Sequence, residues 1–226
     1  MGVRLQELSY AAKDPAGLAR FWAGLLEFTF EDDAVLAPAD DRAFRLRFVA
    51  SDLPKLGPNQ MHFDVTSKSP EDQQRQVDRT LELGGQHLDI GQSDDEPHVV
   101  MADPEGNEFC VIEPTNNFLA NTAAIGALSS DGSQAVGYFW SKALDWPLVW
   151  DQDDETAIQA PYGGTKIAWG GSPVSPKLGV NRLQLTLVAE GDRQVEVDRL
   201  VALGATQGEG DTLFDPDGNE FVVLAG

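Results

Sequence analysis

An imidazole, three carboxylates and two guanidiniums fall where strands could bring them to one surface. In Met61-His62-Phe63-Asp64-Val65 the apolar residues alternate with the polar ones, so a strand there turns His62 and Asp64 away from the core. By the same alternation Phe109 and Val111 pack inward, which leaves Glu108, Cys110 and Ile112 on the opposite face. Glu7 shares a face with Leu5 and Ser9, and packing of Phe44, Leu46 and Phe48 leaves Arg45 and Arg47 facing the other way. If these strands curl about one cavity, Glu7, Arg45, Arg47, His62, Asp64 and Glu108 meet in it. Those residue types serve acid–base chemistry, cation binding and anion capture. Asp64 either orients His62 or makes a contact with a surface loop. Cys110 reads as a small buried residue, since no base stands at a spacing that would activate it.

The elements that must position these residues are written twice. DPEGNEFCVIEP begins at Asp103, and DPDGNEFVVLAG begins 112 residues later at Asp215. Phe21-Trp22 aligns with Phe139-Trp140 and His62 with Gln184, so the chain contains two copies of one unit. Each copy opens on an alternating strand. Asp14-Pro15 then offers a cap and a first-turn proline to a helix striped by Leu18, Phe21, Trp22 and Leu25. Further strands come next, then a second helix opened by Ser69-Pro70 and stopped at Gly84-Gly85, then a hairpin fixed by the proline and glycine of DPEG. We place a first domain at residues 1–115, a linker at 116–121 and a second domain at 122–226. In the second copy Glu7 is replaced by about Ile125, the arginines by Lys166 and Ala168, and His62 by Gln184. That half reads as degenerate, or as an apolar pocket bounded by Trp169 and Trp150.

Composition narrows the partners. A net charge of -21 repels phosphate backbones and anionic lipid, so neither nucleic acid nor membrane is an expected partner. No apolar run approaches a membrane span, and the first ten residues lack the pattern of a secretion signal, which points to the cytoplasm. A single cysteine makes no internal disulfide.

The FW-x-x-x-L helix, the strand that begins at His62, the L-x-x-L-G-G helix end and above all the D-P-x-G-N-E-F hairpin resemble the glyoxalase, bleomycin-resistance and extradiol-dioxygenase superfamily, the vicinal oxygen chelate proteins, in their actinobacterial glyoxalase-like form. The resemblance covers nearly the whole chain, twice. It implies an α+β fold of two tandem glyoxalase-like domains, each of paired βαβββ modules curling around a cavity. It also implies ligand positions, which fall here on Glu7, Arg47, His62 and Glu108. His62, Glu108 and Glu7 could then hold Fe(II), Mn(II), Ni(II) or Zn(II) in the first domain, with no metal expected in the second. Arginine at a ligand position departs from the family. Its guanidinium either neutralises Glu7 and Glu108 or holds an anionic group of the substrate beside the metal.

Two functions are compatible with these residues, which leave both open. One is a metal-assisted isomerase, lyase or oxygenase acting on a small oxygen-rich molecule, with Glu108 and Arg47 catalytic and Arg45, Arg47, Asp64 and Trp169 binding ligand. The other is a metal-free protein that sequesters a small molecule, as the bleomycin-resistance branch does. Four modules in one chain permit a monomer, and a homodimer is equally compatible.

Overall fold

A computed structural model describes residues 2–93 and 95–226. Four βαβββ modules succeed one another along the chain. The first holds β1 (Val3–Ala12), α1 (Pro15–Leu26), β2 (Thr29–Asp32), β3 (Val35–Ala37) and β4 (Leu46–Ala50). The second holds β5 (Met61–Val65), α2 (Pro70–Glu82), β6 (Gln86–His87), β7 (Val99–Ala102) and β8 (Glu108–Val111). The third holds β9 (Ile125–Ser130), α3 (Gln134–Leu144), β10 (Leu148–Gln152), β11 (Glu155–Gln159) and β12 (Lys166–Trp169). The fourth holds β13 (Leu183–Ala189), α4 (Arg193–Leu203), β14 (Thr206–Gln207), β15 (Thr212–Phe214) and β16 (Glu220–Leu224).

Local chemistry sets the helix starts as the sequence predicts. The Asp14 carboxylate accepts the Gly17 N–H, the Ser69 hydroxyl accepts the Asp72 N–H, and a proline comes directly after each cap. In the third module Gly137 of α3 lies so close to Thr156 of β11 that a Cβ there would stand 2.0 Å from the threonine hydroxyl, so only glycine lets the helix press this near.

The α+β class and the tandem repeat stand, and the sheets show how the modules combine. Pairing crosses the copies. In sheet 1 the order is β14-β15-β16-β13-β1-β4-β3-β2, which joins the first and fourth modules through antiparallel β1 and β13. In sheet 2 the order is β10-β11-β12-β9-β5-β8-β7-β6, which joins the second and third through antiparallel β5 and β9. The two sheets back onto one shared core, with α1 between them: Trp22 meets Tyr10 of sheet 1 and stands edge-on to Phe63 and Phe109 of sheet 2 at 5.2 and 5.0 Å. Trp140 of α3 packs on Phe221 at 4.9 Å in the same way.

The repeated turn ties these layers together, and every polar residue in it has a partner. The buried Asp103 carboxylate accepts N–H groups from Glu105 and Asn107 inside the turn and the Tyr10 hydroxyl, at 3.0 Å, from the other sheet. Asp215 does the same in the second copy, with Trp140 Nε1 as the outside donor at 3.1 Å. Glu105 accepts the N–H groups of Lys13 and Asp14 ahead of α1, as Asp217 accepts the Ser133 N–H and hydroxyl ahead of α3. Gly106 and Gly218, at φ 80° and 83°, supply the left-handed residue each turn needs. Because Tyr10 occupies Asp103, Trp22 Nε1 is left with no partner among the described residues. Trp140→Phe should therefore cost about 1–3 kcal/mol more stability than Trp22→Phe, since only the former strips a donor from a buried carboxylate. Urea unfolding midpoints of the two variants check this.

Candidate functional site

Crossed pairing separates residues that strand alternation alone places on one surface. Glu7, Arg45 and Arg47 belong to sheet 1, whereas His62, Asp64 and Glu108 belong to sheet 2. The single gathering of all six expected from the sequence is corrected accordingly. Alternation defines a face within a sheet, and β1 and β5 lie in different sheets.

In sheet 1 the charges satisfy one another. Glu7 is 5% exposed and accepts Arg45 Nη1 at 2.7 Å and Arg47 Nε at 2.5 Å; Arg45 Nε reaches on to Glu31 at 2.9 Å. The Glu7 carboxylate raises the pKa of Arg47 against the opposing effect of burial, which keeps the guanidinium charged and paired. A cavity of 270 Å³ approaches Glu7 and Arg45 from the side of Tyr162, and its charged wall is already neutralised. Arg45 thus divides its guanidinium between Glu7 and Glu31, and Arg47 is tied to Glu7 through Nε.

In sheet 2, Phe63 is opposite Phe109 and Asp64 opposite Cys110 in parallel ladders, so His62 and Glu108 face the same side. Glu108 is occupied. Its carboxylate accepts Lys55 Nζ at 2.5 Å and the Asn59 N–H at 3.3 Å. The fourth module repeats this latch, with Lys177 Nζ at 2.6 Å and the Asn181 N–H at 3.2 Å on Glu220. The sequence carries the signal for it in Pro54-Lys55-Leu56-Gly57-Pro58-Asn59 and Pro176-Lys177-Leu178-Gly179-Val180-Asn181, a second repeat whose lysines align with the two glutamates.

The metal set implied by the family positions therefore does not fit: Glu7 is in the other sheet and held by two arginines, and Glu108 is held by a lysine. His62 remains. Its Nε2 lies 3.5 Å from Asp64 Oδ1, and Asp64 Oδ2 accepts the Ser129 hydroxyl at 2.5 Å. Burial opposes a charge on this imidazole, but hydrogen bonds to Asp64 and Cys110 overcome it and push His62 up to about 10.

His62 and Ser129 form part of the wall of a 580 Å³ cavity on the concave side of sheet 2. Opposite them stand Trp150 of β10 and Phe118, edge-to-face at 6.0 Å. Lys166 Nζ donates to the Phe118 carbonyl and lies 4.2 Å from the centre of its ring, which fixes that side chain; burial lowers the lysine's pKa. Phe118 comes from the segment expected as a linker and carried no sequence signal of a wall. The indole Nε1 of Trp150 is buried without a partner among the described residues. Trp169 borders the cavity but is 2% exposed and packed in the main core. Ala168 faces in beside Ser129, its register partner, and leaves the space that an arginine fills at the equivalent position in sheet 1.

Four βαβββ modules, joined in twos into curled sheets with a ligand-sized hollow on one of them, define an architecture of the vicinal oxygen chelate type. The family model of the glyoxalase-like domain matches residues 7–112 and again 127–224, and the chain belongs to that family. Glyoxalase I from Zea mays superposes with a TM-score of 0.67 at 13% identity over 99% of this chain and 92% of that one. A point variant of the same maize enzyme gives 0.62 at 15% identity over 99% and 94%. A candidate dioxygenase from Bacillus subtilis gives 0.61 at 13% identity over 98% and 84%. Likeness at these identities is of fold. No curated protein matches by sequence. Among the described residues no helix is long and apolar enough to cross a membrane.

If Glu108 and Glu220 are equivalent latches, Glu108→Gln and Glu220→Gln should each lower stability by about 1–3 kcal/mol, and Lys55→Met and Lys177→Met should match them. Thermal unfolding of the four variants checks the equivalence; a loss confined to one hairpin contradicts it.

Proposed function

We propose that this chain binds an uncharged, planar, oxygen-bearing small molecule in the sheet 2 cavity. The observation that carries this reading is the 580 Å³ space walled by the rings of Trp150 and Phe118. The volume lies within the roughly 300–1,000 Å³ usual for small-molecule sites. An aromatic wall of Trp150 and Phe118 favours a flat ligand. His62 and Ser129 offer hydrogen-bonding groups across the hollow, and Asp64 orients both.

This supports the sequestering reading of the sequence over a metal-assisted enzyme built on the family's ligand positions. That enzyme needs His62, Glu108 and Glu7 around one ion, and two of the three are neutralised by cationic side chains.

The test uses a panel of uncharged coumarins and flavones, monitored by quenching of tryptophan fluorescence. At least one should bind saturably, and Trp150→Ala and Ala168→Trp should each weaken it at least about tenfold, or ~1.4 kcal/mol. Ala168→Trp fills the hollow without touching the core, so it separates loss of the site from loss of the fold. Absence of saturable binding across the panel, or binding unchanged in both variants, refutes the reading.

A further inference from the structure

One segment of the cavity wall is tied to the rest of the molecule by a single hydrogen bond. Residues 113–122 cross from β8 to β9 and belong to neither sheet. Their backbone bonds stay inside the segment, from the N–H groups of Asn116, Ala120 and Thr122 to the carbonyls of Glu113, Asn117 and Leu119, each at 3.3 Å. Among the described residues, the one hydrogen bond that leaves the segment is donated by Lys166 Nζ to the Phe118 carbonyl. Packing supplies the other attachments: Leu119 is buried beside Cys110 and Ile112, and Phe118 meets Trp150 edge-to-face. Space borders the segment twice, in the 580 Å³ cavity at Phe118 and in a second hollow of 540 Å³ at Asn116, Leu119 and Thr122. A segment with few outward bonds and hollows beside it opens at low cost.

We propose that residues 113–122 are a movable wall of the sheet 2 cavity, and that Lys166 is the positioning residue that latches Phe118 against Trp150. Lys55 and Lys177 each reach a carboxylate, whereas Lys166 has no such partner among the described residues. It shares the concave face of β12 with Ala168, and the Phe118 ring covers it with its centre 4.2 Å from Nζ. A partly buried ammonium without a counter-ion depends on the groups it touches, here a carbonyl and a ring face of one residue. Lysine and wall therefore hold each other: release of Phe118 strips both contacts from Lys166, and loss of Lys166 removes the segment's outward hydrogen bond. With the wall latched, the hollow is bounded by two rings; with it released, the hollow widens at Phe118. The role of the wall in recognition rests on the reading of this hollow as a binding site.

Acrylamide, a neutral quencher, titrated into the ligand-free full chain tests this, with the Trp150 signal taken as the difference from Trp150→Phe. Lys166→Met should raise the quenching constant of Trp150 at least about twofold, because loss of a charge-assisted hydrogen bond multiplies the open population several-fold. Lys166→Arg keeps the charge and the N–H donors and should stay near the unsubstituted value. Phe118→Ala should raise the constant as much as Lys166→Met, and the two together should raise it no further, since the latch acts through that ring. Lys177→Met breaks an ion pair beside sheet 1 and should leave Trp150 unchanged. In the unsubstituted chain, a readout that needs no variant to fold, the amides of Ala120 and Thr122 should exchange at least about a hundredfold faster than those of Phe109 and Leu128. The proposal is overturned by a Trp150 signal indifferent to Lys166→Met, by an equal rise in Lys177→Met, by full additivity of Lys166→Met and Phe118→Ala, or by equal amide protection. No arm uses a coumarin or a flavone, so the wall and the binding reading can fail separately.

Discussion

The buried carboxylate at the start of each repeated turn is the constraint on which the other features depend. Asp103 and Asp215 are 1% and 3% exposed, and burial raises the pKa of both while the turn's own N–H groups pull it back. A buried carboxylate this well supplied with donors is costly to disturb. Each therefore pins its hairpin, and the hairpin pins the strand that leaves it. In the first copy it fixes where β8 begins, which sets Phe109 against Phe63 and Cys110 against Asp64. The outside donor differs between copies, a tyrosine from β1 in one and a tryptophan from α3 in the other, yet each joins the turn to a different layer of the molecule. The repetition of DPxGNE thus has a mechanical cause. Its aspartate, third-position acid, asparagine and glutamate hold, in turn, the other layer, the helix entry, the connector asparagine and the connector lysine.

Crossed pairing gives the differences between copies a meaning that neither copy shows alone. Read along the chain, replacement of the arginines by Lys166 and Ala168 looks like decay of a site. In the folded molecule the same replacement opens one. Arg45 and Arg47 fill the concave face of sheet 1 with ion pairs to Glu7, whereas Ala168 and Ser129 leave the corresponding face of sheet 2 hollow beneath Trp150. One hollow is built from both copies, with His62 and Asp64 from the first and Trp150, Ser129 and Ala168 from the second.

Much of this was legible in the sequence, and the part that was not has a definite physical reason. Alternation correctly turned His62, Asp64, Glu108 and Cys110 to the same side of their strands, because side-chain direction in a strand is a local property. Helix caps at Asp14 and Ser69 were local as well. Which strand lies beside β1 is not local: β13 is about 180 residues away, and its antiparallel pairing with β1 is decided by the shared core and not by any residue in either strand. That single unknown moved Glu7 out of reach of His62. The lysine latch was written in the chain as a repeated hexapeptide and is simple in retrospect, because a glutamate retained in both copies beside a lysine retained in both copies points to a shared ion pair. Phe118 had no such signal; it is a wall because Lys166 and Trp150 hold it there.

Charge distribution bears on what the hollow can admit. The chain has 16 basic residues against 37 acidic ones, and four of the basic ones, Arg45, Arg47, Lys55 and Lys177, are engaged with Glu7, Glu31, Glu108 and Glu220 beside the two concave faces. Cations spent on internal pairs cannot offset the acidic exterior. The surrounding field is accordingly negative over distances of about 10 Å, the screening length at 0.1 M salt. Asp131 and Glu155 add acid to the cavity wall itself. An anionic ligand would be repelled on approach, and Arg45 and Arg47 are already ion-paired with Glu7 and Glu31. A neutral planar molecule meets no such penalty.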